Sequence, residues 1–212
     1  MNFFVRNIFI IIFGVIIIYN PNSHANSKLF NKNEVKTDGI SDFPKWTGAL
    51  ERTANEDRTY EKKCSDGSKA FYCNIAAWKE FLEGIASKPR AEQMKQVNIY
   101  ANKHPYIIDS VNWGVDDYWE SPGEFLSRNG DCEDYAIIKY MSLKFLGVPQ
   151  EDMRIVILFD NNINAYHAVL AVYSKDSIVI LDNQVNAILS DKKIYHYNPI
   201  FSVNEESWWR YM

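Results

Sequence analysis

The sequence predicts an α+β domain, and three observations predict it. Two stretches of helical apolar spacing occupy residues 74–86 and 89–104, and a stronger helix signal covers 131–149. Three runs rich in β-branched residues come next, separated by short polar breaks. Helices followed by closely spaced strands point to an antiparallel sheet rather than to alternating βαβ units. The length of 212 residues suits one domain.

The first residues stand apart from that domain. "MNFFVRN" carries one arginine and no acid, and Ile8 to Tyr19 is an unbroken apolar run. Polar residues follow, then Ser23 and Ala25 as the small residues of a cleavage site. This is the pattern of a secretory signal peptide, residues 1–25, cut after Ala25. The run falls short of the ~20 apolar residues a spanning helix needs. Export to the periplasm is therefore expected, with no membrane insertion after cleavage. Residues 26–212 form the single domain, with 26–42 polar and expected to be loosely held. Net charge is −4, which favours neither nucleic acid nor an anionic membrane as partner.

"FPKWTGAL" marks an ordered start, with Trp46 as an apolar anchor. In an oxidising compartment the cysteines need partners. Cys64 and Cys73 flank a short polar stretch with an Asp66-Gly67 turn, and a disulfide between them is expected. That leaves Cys132 alone. The first helix then carries Ile75, Trp78, Leu82 and Ile85 on one stripe. Pro89 opens the second, with Met94, Val97 and Tyr100 or Ala101 inward, and Pro105 stops it. Residues 106–125 show no clear period but hold Trp113, Tyr118, Trp119 and several aspartates, which suits a cleft wall.

"NGDCEDYA" then places Cys132 between Asp131 and Glu133, with Asp134 next. Asp131 can cap the helix and Asp134 completes a capping box; Gly147 and Pro149 end it. The thiol thus sits in a first turn, where free N–H groups favour thiolate, among carboxylates that oppose it.

The strands are Met153–Asp160, Ala165–Tyr173 and Ser177–Asn183. A two-residue turn at Lys175-Asp176 makes Ser174 face Ser177, so Asp182 faces Val169 and His167 faces Gln184. His167 and Asp182 become diagonal neighbours on one face. With Cys132 they have the parts of a nucleophilic triad: Cys132 the nucleophile, His167 the base, Asp182 the orienting acid. Trp208 and Trp209, near the C-terminus, read as core residues.

These motifs, Gly-Asp-Cys-Glu-Asp-Tyr-Ala, Ala-Tyr-His-Ala-Val and Leu-Asp-Asn-Gln, together with the ending "HYNPIFSVNEESWWRYM", closely resemble the bacterial transglutaminase-like cysteine proteinases of the LapG type. The resemblance runs from about Trp46 onward. It implies a papain-like, transglutaminase-like fold and maps that family's triad onto Cys132, His167 and Asp182. It implies calcium (Ca2+), held by Asp131 and Glu133 with Asp134 and the Asp116/Asp117 pair as additions. It also implies a large surface adhesin as protein substrate, cut between paired alanines to disperse biofilm, and control by the periplasmic domain of an inner-membrane cyclic-di-GMP receptor. Trp113, Tyr118 and Trp119 would wall a narrow substrate cleft. The sequence identifies no side-chain oxyanion donor; Asn112 and Trp113 are merely nearby. The same triad would also serve a transglutaminase or deamidase, and a non-catalytic binding module is the remaining alternative.

Overall fold

The structure is a computed structural model that describes residues 28–65 and 70–212. The signal-peptide segment and the Asp66-Gly67 turn lie outside the described residues. Among those described, no helix is long and apolar enough to cross a membrane.

Strands β1 (Glu34–Asp38), β2 (Met153–Asp160), β3 (Ala165–Tyr173), β4 (Ile178–Leu181), β5 (Leu189–Ser190), β6 (Tyr197–Val203) and β7 (Ser207–Tyr211) form one antiparallel sheet in the order β1-β7-β6-β2-β3-β4-β5. Helices α1 (Pro44–Ser65), α2 (Ala70–Ile85), α3 (Arg90–Asn102), α4 (Asp109–Asn112), α5 (Pro122–Arg128) and α6 (Cys132–Phe145) precede β2. The α+β expectation is met.

The central strands read as near-continuous apolar runs because both faces are covered. Ile155 and Leu170 join the main core with Trp46, Trp78 and the inner residues of α6. Val156 and Val169, one position on, join a second core with Leu29, Phe30 and Ile194. Helix α6 is buried along most of its length and packs on β2 and β3. Asp131 and Asp134 form the expected capping box, and Gly147 closes the helix with a φ of +81°, where a Cβ would be strained.

Several elements depart from the expectation. Within the segment expected to be loose, residues 34–38 form β1, paired along their whole length with β7. The polar side chains of β1 point to solvent while its backbone is held, which composition alone does not show. The 22 residues of α1 were foreshadowed only at Trp46. Its inward positions are Trp46, Ala49, Thr53 and Glu56, so polar residues occupy half of its core stripe. Strand β6 contains Pro199 at a register shift opposite Leu158, the kind of irregularity that admits a proline to a sheet. Trp209 is buried and Trp208 packs against the main core, as expected. Cys64 and Cys73 are bonded to each other, and they join the end of α1 to the start of α2.

Glu56 is the unusual member of this core. It accepts from the Ser121 hydroxyl and, at 3.0 Å, from the Gly123 N–H. Gly123 has no room for a Cβ, which would fall 2.8 Å from a Glu56 oxygen and 2.5 Å from Phe71. Burial, supported by the charges of Glu124 and Asp57 and opposed by these hydrogen bonds, pushes the Glu56 carboxyl up to about 7. The folded state therefore binds this proton more tightly than the unfolded chain, and stability falls as pH rises from about 4.5 to about 7. Glu56→Gln should gain roughly 1–3 kcal/mol relative to the parent between about pH 5 and about pH 8 in urea unfolding. A constant difference across that range would show that Glu56 does not titrate there.

Candidate active site

Helix α6 delivers Cys132 as its first residue. The turn before it is tight. Gly130 bridges to Tyr106, its carbonyl accepts from the Ile107 N–H at 2.9 Å, and the Asp134 side chain folds back so closely over Gly130 that a Cβ there would collide. Cys132 is half-buried and is the free thiol beside the Cys64–Cys73 bond. Its sulfur approaches Glu133 Oε2 at 3.4 Å, and Ala168 of β3 lines the same cleft. Burial, then the charges of Glu133 and Asp131, push the thiol up, and the Ala168 N–H pulls the other way. Burial and the acids together therefore disfavour the thiolate unless a counter-charge meets them.

The β3–β4 hairpin has the expected register: Leu170 faces Leu181 and Tyr173 faces Ile178. His167 and Asp182 consequently meet on one face, with His167 Nε2 2.9 Å from Asp182 Oδ1. Both are at least 96% buried. Asp182 also accepts the Tyr197 hydroxyl and the Gln184 N–H. Burial works against its charge, but His167, Tyr197 and Gln184 together hold its carboxyl below the ordinary value. An Nε2 committed to Asp182 leaves Nδ1 as the ring nitrogen available for proton transfer. Cys132, His167 and Ala168 line the same cleft of about 490 Å³. Two helical turns along α6 from Cys132, the Lys139 amine is buried without a hydrogen-bond partner, and burial, opposed by the charge of Asp182, pulls it down to about 7.

One rim of that cleft is acidic. Carboxylate oxygens of Asp109, Asp117 and Glu133 lie within 4.8 Å of one another, as do those of Asp109, Asp131 and Asp134. Asp109 joins both groups and was missed in the sequence, where it opens the short helix α4 inside a stretch that reads as irregular. Its Oδ1 and that of Asp131 are buried without partners. Burial and the neighbouring acids push Glu133 up to about 11 and Asp109 up to about 6, the latter against a hydrogen bond from the Tyr118 N–H. Clustered oxygens with orphaned lone pairs fit a hard divalent cation. Asp134 fits it less well than expected, because its two oxygens already accept the Glu120 and Asp131 N–H groups. Asp117 is exposed and pairs with Lys45; Asp116 lines the cleft but stands outside both groups.

Of the three aromatics expected in the cleft wall, Trp119 lines it. Trp113 and Tyr118 pack on each other outside it, ring centroids 4.5 Å apart, beneath Arg128 and Arg52 respectively. The aromatic wall is completed instead by Tyr106, Tyr166 and Phe201. Neither nearby side chain is free to serve as oxyanion donor: Asn112 Nδ2 donates to Glu120 and to the Asn129 carbonyl, and Trp113 Nε1 donates to Glu120.

The family profile described as bacterial transglutaminase-like cysteine proteinase matches residues 52–212. The chain belongs to this family. It is similar to solved structures of LapG from Legionella pneumophila, at 32% identity and a TM-score of 0.64 over 72% of this chain and 86% of that one. A calcium-bound LapG matches equally well, and an EGTA-treated one over 84% of its length. Among curated proteins there is no significant match. For a cysteine proteinase, the buried Asp182 carboxylate must stay charged and keep His167 oriented without water. Tyr197→Phe leaves one Asp182 oxygen buried and unpaired, and should cost about 1–3 kcal/mol of unfolding free energy. A loss below the error of urea unfolding would show that water replaces the phenol.

Proposed function

We propose that this transglutaminase-like cysteine proteinase is a calcium-dependent periplasmic endopeptidase. On this reading it cuts a large surface adhesin in its N-terminal region, between paired alanines, and so releases the adhesin and disperses biofilm. The periplasmic domain of an inner-membrane cyclic-di-GMP receptor holds it in check. The observation that carries the protease reading is the shared cleft of Cys132 and the buried His167–Asp182 pair. Substrate, receptor and compartment rest on the LapG-type motifs and on the leader-like first 25 residues.

His167 takes the Cys132 proton, and Asp182 stabilises the imidazolium and fixes its orientation. The thiolate adds to the scissile carbonyl, His167 returns the proton to the leaving amine, and water then hydrolyses the thioester with His167 again as base. Asp109, Asp117, Asp131 and Glu133 would hold the calcium ion. When bound, it supplies the positive charge that offsets the carboxylates around the thiol. Narrow aromatic walls suit small side chains at the cut.

Incubating the mature protein with the large surface proteins of its own cell should yield a fragment that begins or ends at an alanine pair. Calcium should permit the cut, and EGTA or Cys132→Ala should abolish it. Incorporation of an amine donor in place of cleavage would overturn the endopeptidase reading. Calcium at about 100 times its Kd should also raise folding stability by about 2.7 kcal/mol. Asp109→Asn should remove most of that gain while leaving the calcium-free melting curve little lowered; an unchanged calcium response would exclude Asp109 as a ligand.

A further inference from the structure

The cleft holds a side-chain donor that the motifs do not announce. Tyr106 is 54% exposed and lines the same cleft as Cys132 and His167, where the charge of the Cys132 thiolate acts on its hydroxyl. The backbone that carries it is tied to the turn before the nucleophile: Tyr106 bridges to Gly130, and the Ile107 N–H donates to the Gly130 carbonyl. Its ring lies nearly parallel to that of the buried Tyr135, at 17° and 6.3 Å between centroids. Phenol and thiol are thus set in one frame two residues from Cys132.

We propose that Tyr106 is a catalytic residue that donates its O–H to the oxyanion formed when Cys132 attacks an acyl carbon. This rests on Cys132 being the acylating nucleophile. Before attack, negative charge resides on sulfur. As the S–C bond forms, the C=O π pair moves onto oxygen, so the charge leaves sulfur and reappears two bonds away. A hydroxyl in the cleft that the thiol shares can meet it there. The first-turn N–H groups of α6 that the Asp131 cap leaves free supply the complementary backbone donors. Collapse re-forms the C=O bond and breaks the bond to the leaving group, which takes its proton from His167. Tyr106 keeps its own proton throughout. The nearby Asn112 and Trp113, engaged by Glu120, do not compete for this role.

The test separates attack on a carbonyl from simple nucleophilicity. p-Nitrophenyl acetate acylates the thiol through an oxyanion, whereas iodoacetamide alkylates it by displacement without one. Cys132 is the free thiol beside the Cys64–Cys73 disulfide, so both rates report it directly. In calcium-containing buffer, Tyr106→Phe keeps the ring and removes the hydroxyl. It should slow acylation by about 10²–10³-fold while changing alkylation by less than about threefold. A parallel fall in both rates would assign Tyr106 to holding the thiolate and overturn the proposal. An unchanged or faster acylation would make it a passive rim residue and overturn it equally. Cys132→Ala is the separate control: if it still turned over the ester at the parental rate, the nucleophile assignment itself would fall.

Discussion

Pairing of β3 with β4 is the constraint on which the site depends. Strand side chains alternate faces, so a slip of one residue would send His167 and Asp182 to opposite sides of the sheet. The observed partners Leu170–Leu181 and Tyr173–Ile178 exclude that slip. Strand β3 also brings Ala168 into the cleft that Cys132 lines. Helix α6 is held against β2 and β3 by apolar side chains along its buried length. Nucleophile and base therefore come from different elements, but their separation is set by one packed core.

Charge at the helix start works the other way. Asp131 and Asp134 cap α6 and make the turn, so they stabilise the structure that presents the thiol. The charges of Asp131 and Glu133 oppose its ionisation. Orphaned oxygens on Asp109 and Asp131 show that hydrogen bonding does not absorb all of this negative potential. A bound cation joins the two effects, because it would fasten the loop carrying Asp109 and Asp117 to the helix while neutralising the carboxylates nearest the sulfur.

Much of this was legible in the residues. The α6 cap, its terminating glycine and the hairpin register all come from local rules, and the resemblance supplied the family. What stayed hidden has physical reasons. Helix α1 buries Thr53 and Glu56 where a hydrophobic stripe would be sought. Pro199 argues against a strand until the register shift beside it is seen. Asp109 becomes a candidate ligand only once the chain folds it against Asp131 and Glu133, a proximity no spacing encodes. Trp113 and Tyr118 were read as cleft walls because aromatics in irregular segments look alike; their packing beneath two arginines depends on α1 and α5, which the sequence did not place.

The pairing of β1 with β7 carries a further consequence. Strand β1 lies at the sheet edge, and its one neighbour is formed by residues 207–211. Early in synthesis this segment has nothing to pair with, and it must wait for almost the whole polypeptide before its backbone amides find acceptors. Sheet completion is thus a late, long-range step. A chain crossing a membrane end-first would reach the far side with its proteolytic apparatus still unassembled.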